Sequence, residues 1–146
     1  MLFKPLSAQK AIPVEPYIAE AQQHYIANWK KSVRTLTHDS ADFIGLPYPY
    51  STPTLAGNQM FREMYYWDSY FINCGLLAYG SHPQRDGEST ADEKFAIQQA
   101  INNCNNLIYL VNKFGFVPNA NRFSMTNRSQ PPLLGAMIND IFEVTT

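Results

Sequence analysis

The chain is poor in the residues that mark several common chemistries. It has two cysteines and three histidines in 146 residues. Cys74 and Cys104 are too few and too far apart to make a metal motif or a disulfide framework. Both fall in apolar helical patterns, so buried, inert thiols are expected. His24, His38 and His82 lie on unrelated segments and are assigned no chemistry. No metal site and no cofactor is expected. Charge is also scarce, at 16% of residues against about 25% in an average domain. That scarcity suggests more covered surface than a free small domain would have. The net charge is -1 and no basic block is present. Lys30, Lys31 and Arg34 cluster, and are read as a solvated helix face. Phosphate binding needs a larger basic footprint, so nucleic acid is not an expected partner. No run of roughly 18 apolar residues exists, so no membrane span is expected. The start, Met1-Leu-Phe-Lys-Pro-Leu-Ser-Ala-Gln-Lys10, lacks a secretory apolar region, which points to the cytoplasm. In that compartment the sequon Asn127-Arg128-Ser129 carries no meaning.

Apolar residues are plentiful, at 45%, so composition does not predict disorder. The length suits one domain. Aromatic residues make up 14%, mainly nine Tyr and nine Phe. Tyrosine combines area with a hydroxyl and serves ligand-lined surfaces as well as cores.

Residues 1–15, with Pro5 and Pro13, read as an extended lead-in. A helix is expected from Pro16 to Thr37, with Ile18, Ala21, Tyr25, Ile26, Trp29 and Val33 forming one apolar stripe. Three prolines and two glycines make residues 38–61 irregular, and a loop of that length tends to be functional. A second helix is expected from near Tyr66 to Tyr79, closed by Gly80. Thr90-Ala-Asp-Glu93 has the form of a capping box. It precedes a helix through Phe95, Ile97, Ala100, Ile101, Cys104, Leu107, Ile108 and Val111, ending at Gly115. Residues 116–130 are irregular, and Pro131-Pro132 lead into a last helix through Leu134, Met137, Ile138 and Ile141. No strand run dominates. The expected fold is all-α, about four helices whose long loops gather at one end and build a site there. The last apolar face has no partner after Thr146, so residues 16–146 are read as part of a larger domain.

Two segments carry chemistry. Met60-Phe-Arg-Glu-Met-Tyr-Tyr-Trp-Asp-Ser-Tyr-Phe71 packs six aromatic rings, two carboxylates and a guanidinium into twelve residues. Trp67 lies beside Asp68: a flat ring covers the apolar face of a pyranose and a carboxylate accepts from its hydroxyls. The second segment, Val117 to Pro132, carries Asn119, Asn121, Arg122, Asn127, Arg128, Ser129 and Gln130. Amides and guanidinium groups hold donors and acceptors in fixed planes, as a ring of hydroxyls requires. The same residues have structural readings. Trp67 could be core and Asp68 a first-turn cap. Arg62 and Glu63 read better as an ion pair than as catalytic groups. Arg128, Asn119 and Gln130 could simply brace their loop.

Together the two segments resemble the signatures of glycoside hydrolase family 37, the trehalases. Phe61-Arg-Glu-Met-Tyr-Tyr-Trp-Asp-Ser-Tyr70 is similar to the family's Pro-Gly-Gly-Arg-Phe-x-Glu-x-Tyr-x-Trp-Asp-x-Tyr. Pro118-Asn119 through Asn127-Arg-Ser-Gln-Pro-Pro132 is similar to its Pro-Asn-Gly-Asn-Arg…Ser-Arg-Ser-Gln-Pro-Pro run. The resemblance covers roughly residues 40–146. It implies part of an (α/α)6 toroid, an inverting hydrolase without a metal, and a sugar (trehalose or a related glucoside) as ligand. It places Trp67, Asp68, Asn119, Arg128, Ser129 and Gln130 around that sugar as recognition residues. The general acid Asp and base Glu implied by the family lie beyond Thr146, so no catalytic residue is expected in this chain. The remainder of the domain would then be a partner. Inversion needs two carboxyl groups about 6.5–9.5 Å apart, on opposite faces of the sugar. Glu63 and Asp68, neighbours in one segment, are poor candidates for that pair.

One position departs from the motif. The family's Gly-Gly-Arg before Phe61 is here Asn58-Gln59-Met60. Methionine cannot donate a hydrogen bond, and losing a charged donor in a buried sugar site costs on the order of 1.5–3 kcal/mol. Three readings follow. The first is a trehalase-like fragment that binds sugar without cleaving it. The second is a non-catalytic helical module for sugar or protein. The third is a glycosidase for a different glycoside.

Overall fold

A computed structural model describes residues 15–81 and 89–146 of the protein. The expected lead-in falls outside the described residues except for Glu15, and His82 falls outside them too. The described chain forms α1 (Glu15–Asn28), α2 (Tyr66–Gly80), α3 (Ala91–Phe114) and α4 (Leu134–Thr145). A two-residue antiparallel ladder pairs β1 (Val33–Arg34) with β2 (Tyr50–Ser51), Val33 facing Ser51. The architecture is all-α, as a fragment of a helical toroid should be.

The capping box sets the start of α3. Thr90 Oγ1 accepts from Glu93 N–H at 3.2 Å, and Glu93 Oε2 accepts from Thr90 N–H at 2.6 Å. Gly115, at φ +80, closes the helix in the left-handed region that glycine enters without strain. Between these ends Ala96, Ala100, Cys104, Leu107 and Leu110 recur every three or four residues and are buried. Helix α2 packs along this face. A side chain at Gly80 would come within 2.6 Å of Ile97 and 2.8 Å of the Glu93 carbonyl. Gly80 therefore lets α2 approach α3 closely rather than closing the helix. Helix α2 runs through it, and Ser81 ends it with φ -89.

The first helix is shorter than its pattern predicts. It stops at Asn28, tightens into a 3-10 turn over Trp29–Ser32 and then extends into β1. Ser32 Oγ donates to the Trp29 carbonyl at 2.7 Å, and Thr52 N–H donates to the Ser32 carbonyl at 3.0 Å. Pairing with β2 suits the β-branched Val33 better than another helical turn does. Of the predicted stripe, Trp29 is buried, whereas Ile18, Tyr25 and Ile26 are exposed. The basic cluster is split by the same change. Lys30 pairs with Asp92, while Lys31 donates to Asn28 at 2.9 Å. Arg34 lies on a strand and not on a helix face. It donates to Thr52 Oγ1 and to the Leu55 and Asn58 carbonyls, each at 3.2 Å. Cys104 is buried as expected, but Cys74 is exposed.

The irregular segments contribute to the core and do not merely cover it. Ile44 and Leu46 from the first loop and Val117 from the second pack with Met64, Leu107, Leu110 and Met137. Removing a side chain such as Leu107 would cost about 2–5 kcal/mol.

Candidate functional site

The two signature segments are sewn together by Asn121, which is fully buried. Its Oδ1 accepts from Met64 N–H at 2.8 Å and its Nδ2 donates to the Ile44 carbonyl at 2.9 Å. Its own backbone pairs with Ile44 N–H and the Met64 carbonyl. Tyr66 N–H donates to the Asn119 carbonyl at 3.1 Å, next to a bridge between Tyr65 and Ala120. An ion contact joins the same segments. Buried Glu63 Oε1 lies 3.0 Å from Arg122 Nε, off the line of that N–H, so charge rather than an aligned hydrogen bond holds the pair. The predicted partner, Arg62, stands instead over the Phe43 ring, 5.0 Å from its centre. Arg122 covers the same ring at 4.7 Å.

This seam opens a cavity of about 340 Å³ lined by Pro53, Phe61, Tyr65, Trp67, Asp68 and Gln130. The volume is within the range that holds small molecules. Trp67 and Asp68 sit in the first turn of α2. Gln130 comes from the second segment, and its Oε1 accepts from Trp67 N–H at 3.0 Å. That bond satisfies one of the N–H groups a helix start leaves open. It leaves the Gln130 NH2 with no protein partner among the described residues. Trp67 is 45% exposed and so is not a core tryptophan. Asp68 is half-buried at the positive end of the helix dipole, where a carboxylate is favoured. Burial, with the nearby Glu63 charge, raises the pKa of Tyr65 above its ordinary value. The Tyr65 hydroxyl donates to Glu63 Oε2 at 3.4 Å. The cavity combines aromatic walls with a carboxylate, an amide and a phenol.

The other predicted residues, also on the second segment, do not line this cavity. Asn119 is held by its backbone: its N–H donates to the Arg128 carbonyl at 2.8 Å. The Arg128 side chain is exposed and donates to the Ser124 carbonyl at 3.3 Å and to Asn127 Oδ1 at 2.9 Å. Ser129 Oγ donates to the Gln130 carbonyl at 3.2 Å. Met60 is 63% exposed and is not among the lining residues. Glu63, engaged by Arg122, does not face Asp68 across the cavity. Among the described residues no cluster of three His, Cys, Asp or Glu side chains could hold a metal, and no helix is long and apolar enough to cross a membrane.

Sequence reasoning missed the support beneath the site. Gln99, Asn103 and Asn106 of α3 are buried and bind the strand that leads into the cavity. Asn103 accepts from Ser51 N–H at 2.9 Å and donates to Asn73 Oδ1 at 3.0 Å and Ser51 Oγ at 3.1 Å. Asn106 exchanges bonds with the Tyr48 backbone, and Gln99 donates to the Pro49 carbonyl at 3.1 Å. Their spacing of four and three on one helix was the available signal. It marks a polar stripe turned inward, beside the apolar one.

Comparison with known proteins agrees with these signatures. The Trehalase family model matches residues 3–146. A periplasmic trehalase from Xanthomonas campestris pv. campestris (strain 8004) is 36% identical over 119 residues, 80% of this chain and 18% of that protein. The trehalase of Dictyostelium discoideum is 31% identical over 132 residues, 90% of this chain and 20% of that one. A probable trehalase from Oryza sativa subsp. japonica is 45% identical over 85 residues, 58% of this chain and 12% of that one. The chain thus spans about a fifth of the length of the longest-matching of these relatives. With matched signatures and a match along nearly its whole length, this chain belongs to the trehalase family.

Proposed function

We propose that this chain is the part of a trehalase-like inverting glycosidase that grips one glucose unit of α,α-trehalose or a related α-glucoside. The observation that carries the proposal is the shared cavity. Trp67 and Asp68 from one signature and Gln130 from the other open onto one space of about 340 Å³. Trp67 supplies the stacking face, and Asp68 and Gln130 supply an acceptor and donors for hydroxyls. Asn119, Arg128 and Ser129, from the same second segment as Gln130, would complete the grip. These are recognition roles. The carboxylic acid and carboxylate that cleave the bond by inversion would come from the remainder of the domain, which is the partner this reading requires. Cytoplasmic placement is part of the same proposal. It stands against the periplasmic name of the Xanthomonas relative, and fractionation of the native host decides it.

The test is incubation of the pure 146-residue chain with trehalose and with other α-glucosides. The expected outcome is no glucose release. Release that disappears in Asp68→Asn would overturn the separation of binding from cleavage. Met60 favours one second reading, a glycosidase for another glycoside. It places a thioether without donors where the family motif has arginine. A chain that binds maltose or kojibiose tightly and trehalose hardly at all would select that reading.

A further inference from the structure

The backbone of Phe61 is strained in a place where burial offers no reason for it. Among non-glycine residues in the described chain, Phe61 has a positive φ, +51. For a bulky side chain this left-handed conformation is strained. Yet the ring is 52% exposed, so core packing does not hold it there. It stands on the cavity wall, 6.2 Å from the Tyr65 ring.

Two carbonyls beside the strain converge on one hydroxyl. Thr54 Oγ1 lies 2.9 Å from the Met60 carbonyl and 3.1 Å from the Phe61 carbonyl. Its single proton is shared between them. Thr54 is anchored in turn. Thr52 Oγ1 lies 2.7 Å from the Thr54 carbonyl, and Arg34 Nε donates to Thr52 Oγ1 at 3.2 Å. Arg34 Nη2 also fixes the Leu55 and Asn58 carbonyls within the same loop. The line of contacts runs from strand β1 through Thr52 and Thr54 to the strained turn.

We propose that Thr54 is a positioning residue: its hydroxyl holds the left-handed turn at Phe61 and so fixes the aromatic outer wall of the sugar cavity. The inference rests on the sugar-binding reading for its purpose, but its geometry is testable without any sugar. If the turn merely routed the chain toward buried Met64, glycine at position 61 would serve better than phenylalanine. A side chain kept in the costlier conformation indicates that the ring itself is wanted there.

The experiment compares wild type, Thr54→Val and Thr54→Ser by NMR and by trehalose titration. A positive φ brings the Phe61 amide and α protons close and gives an intense contact between them. The expected result is that Thr54→Val stays folded by circular dichroism, loses that intense contact and binds trehalose about tenfold more weakly. Thr54→Ser should restore both. Should Thr54→Val fail to fold, Thr54→Ala, which adds no methyl, carries the same two readouts. Retention of the intense contact in the variant without the hydroxyl overturns the proposal whether or not sugar binds. So does unchanged trehalose affinity once the contact is lost. If wild type binds no sugar at all, the functional reading fails by itself, and the NMR result still decides whether Thr54 holds the turn.

Discussion

Two sets of polar side chains, alike in type, have opposite fates in this molecule. Gln99, Asn103 and Asn106 of α3 and Asn121 are buried and bound to backbone or to neighbouring side chains, with only Gln99 Oε1 left unpaired among them. Arg128, Ser129 and Asn127 are exposed and make only local bonds within their own loop. Both sets hold loops in place, but the first has little capacity left for a ligand. A buried amide freed from its partner would cost on the order of 1–3 kcal/mol, so it stays engaged. The exposed set has donors facing solvent and gives up little when it turns to a hydroxyl. An Asn- and Arg-rich loop therefore does not by itself signal sugar recognition. Accessibility separates the residues that build the site from those that face it.

The contrast breaks most readily at Asn103. Asn103→Ala leaves Ser51 N–H and Asn73 Oδ1 without their partner in a dry site. Urea unfolding should register a loss of about 3 kcal/mol. A loss under about 0.5 kcal/mol would place Asn103 with the surface set. Asn121→Ala should behave alike, since it orphans Met64 N–H and the Ile44 carbonyl. At the exposed end, Arg128→Ala should change stability by less than about 0.5 kcal/mol. Its effect belongs in binding. A ten- to hundredfold weaker trehalose affinity is expected, corresponding to roughly 1.5–3 kcal/mol for a lost charged donor. Affinity unchanged in Arg128→Ala would remove it from the recognition set.

Two carboxylates sharpen the same comparison. Asp39 is committed to structure. The Gly45 N–H, hydrogen-bonded at 2.8 Å, and then Lys113 at 3.1 Å hold its pKa below the ordinary carboxylate value. A depressed folded pKa means that Asp39 stabilises the fold above the unfolded value, near pH 4. That contribution is lost as pH falls through the lower folded pKa. Asp39→Asn should melt below wild type at pH 7, and the two should converge as pH drops toward 2. A gap in melting temperature that persists unchanged at pH 2 would contradict this origin. Asp68, by contrast, faces the cavity, and Asp68→Asn should lower stability at pH 7 only by the modest helix-dipole contribution, about 0.3–1 kcal/mol.

Much of this was legible in the sequence wherever the cause is local. The capping box at Thr90 and the glycine at 115 fix α3 because helix ends depend on a few adjacent residues. The pairing of Trp67 and Asp68 with Gln130 was legible through the two signatures. What depends on partners far along the chain was not. Glu63 finds Arg122 rather than its neighbour Arg62, because the second loop delivers a guanidinium to its buried side. The first helix ends early because β2 offers Val33 a ladder that periodicity cannot reveal. The polar stripe at Gln99, Asn103 and Asn106 drew no reading, because the backbone groups it binds lie some fifty residues away along the chain. Cys74 sits in an apolar pattern, yet is exposed.

The central claim is that Trp67 and Asp68 hold a sugar in a cavity that the buried amides only support. Isothermal titration of the wild-type chain with trehalose, repeated with Asp68→Asn and Trp67→Ala, tests it most directly. The account predicts saturable binding to wild type and affinity at least about tenfold weaker in each variant, with both variants still folded. Wild-type binding that neither substitution disturbs, or no binding by a chain shown to be folded, would contradict it.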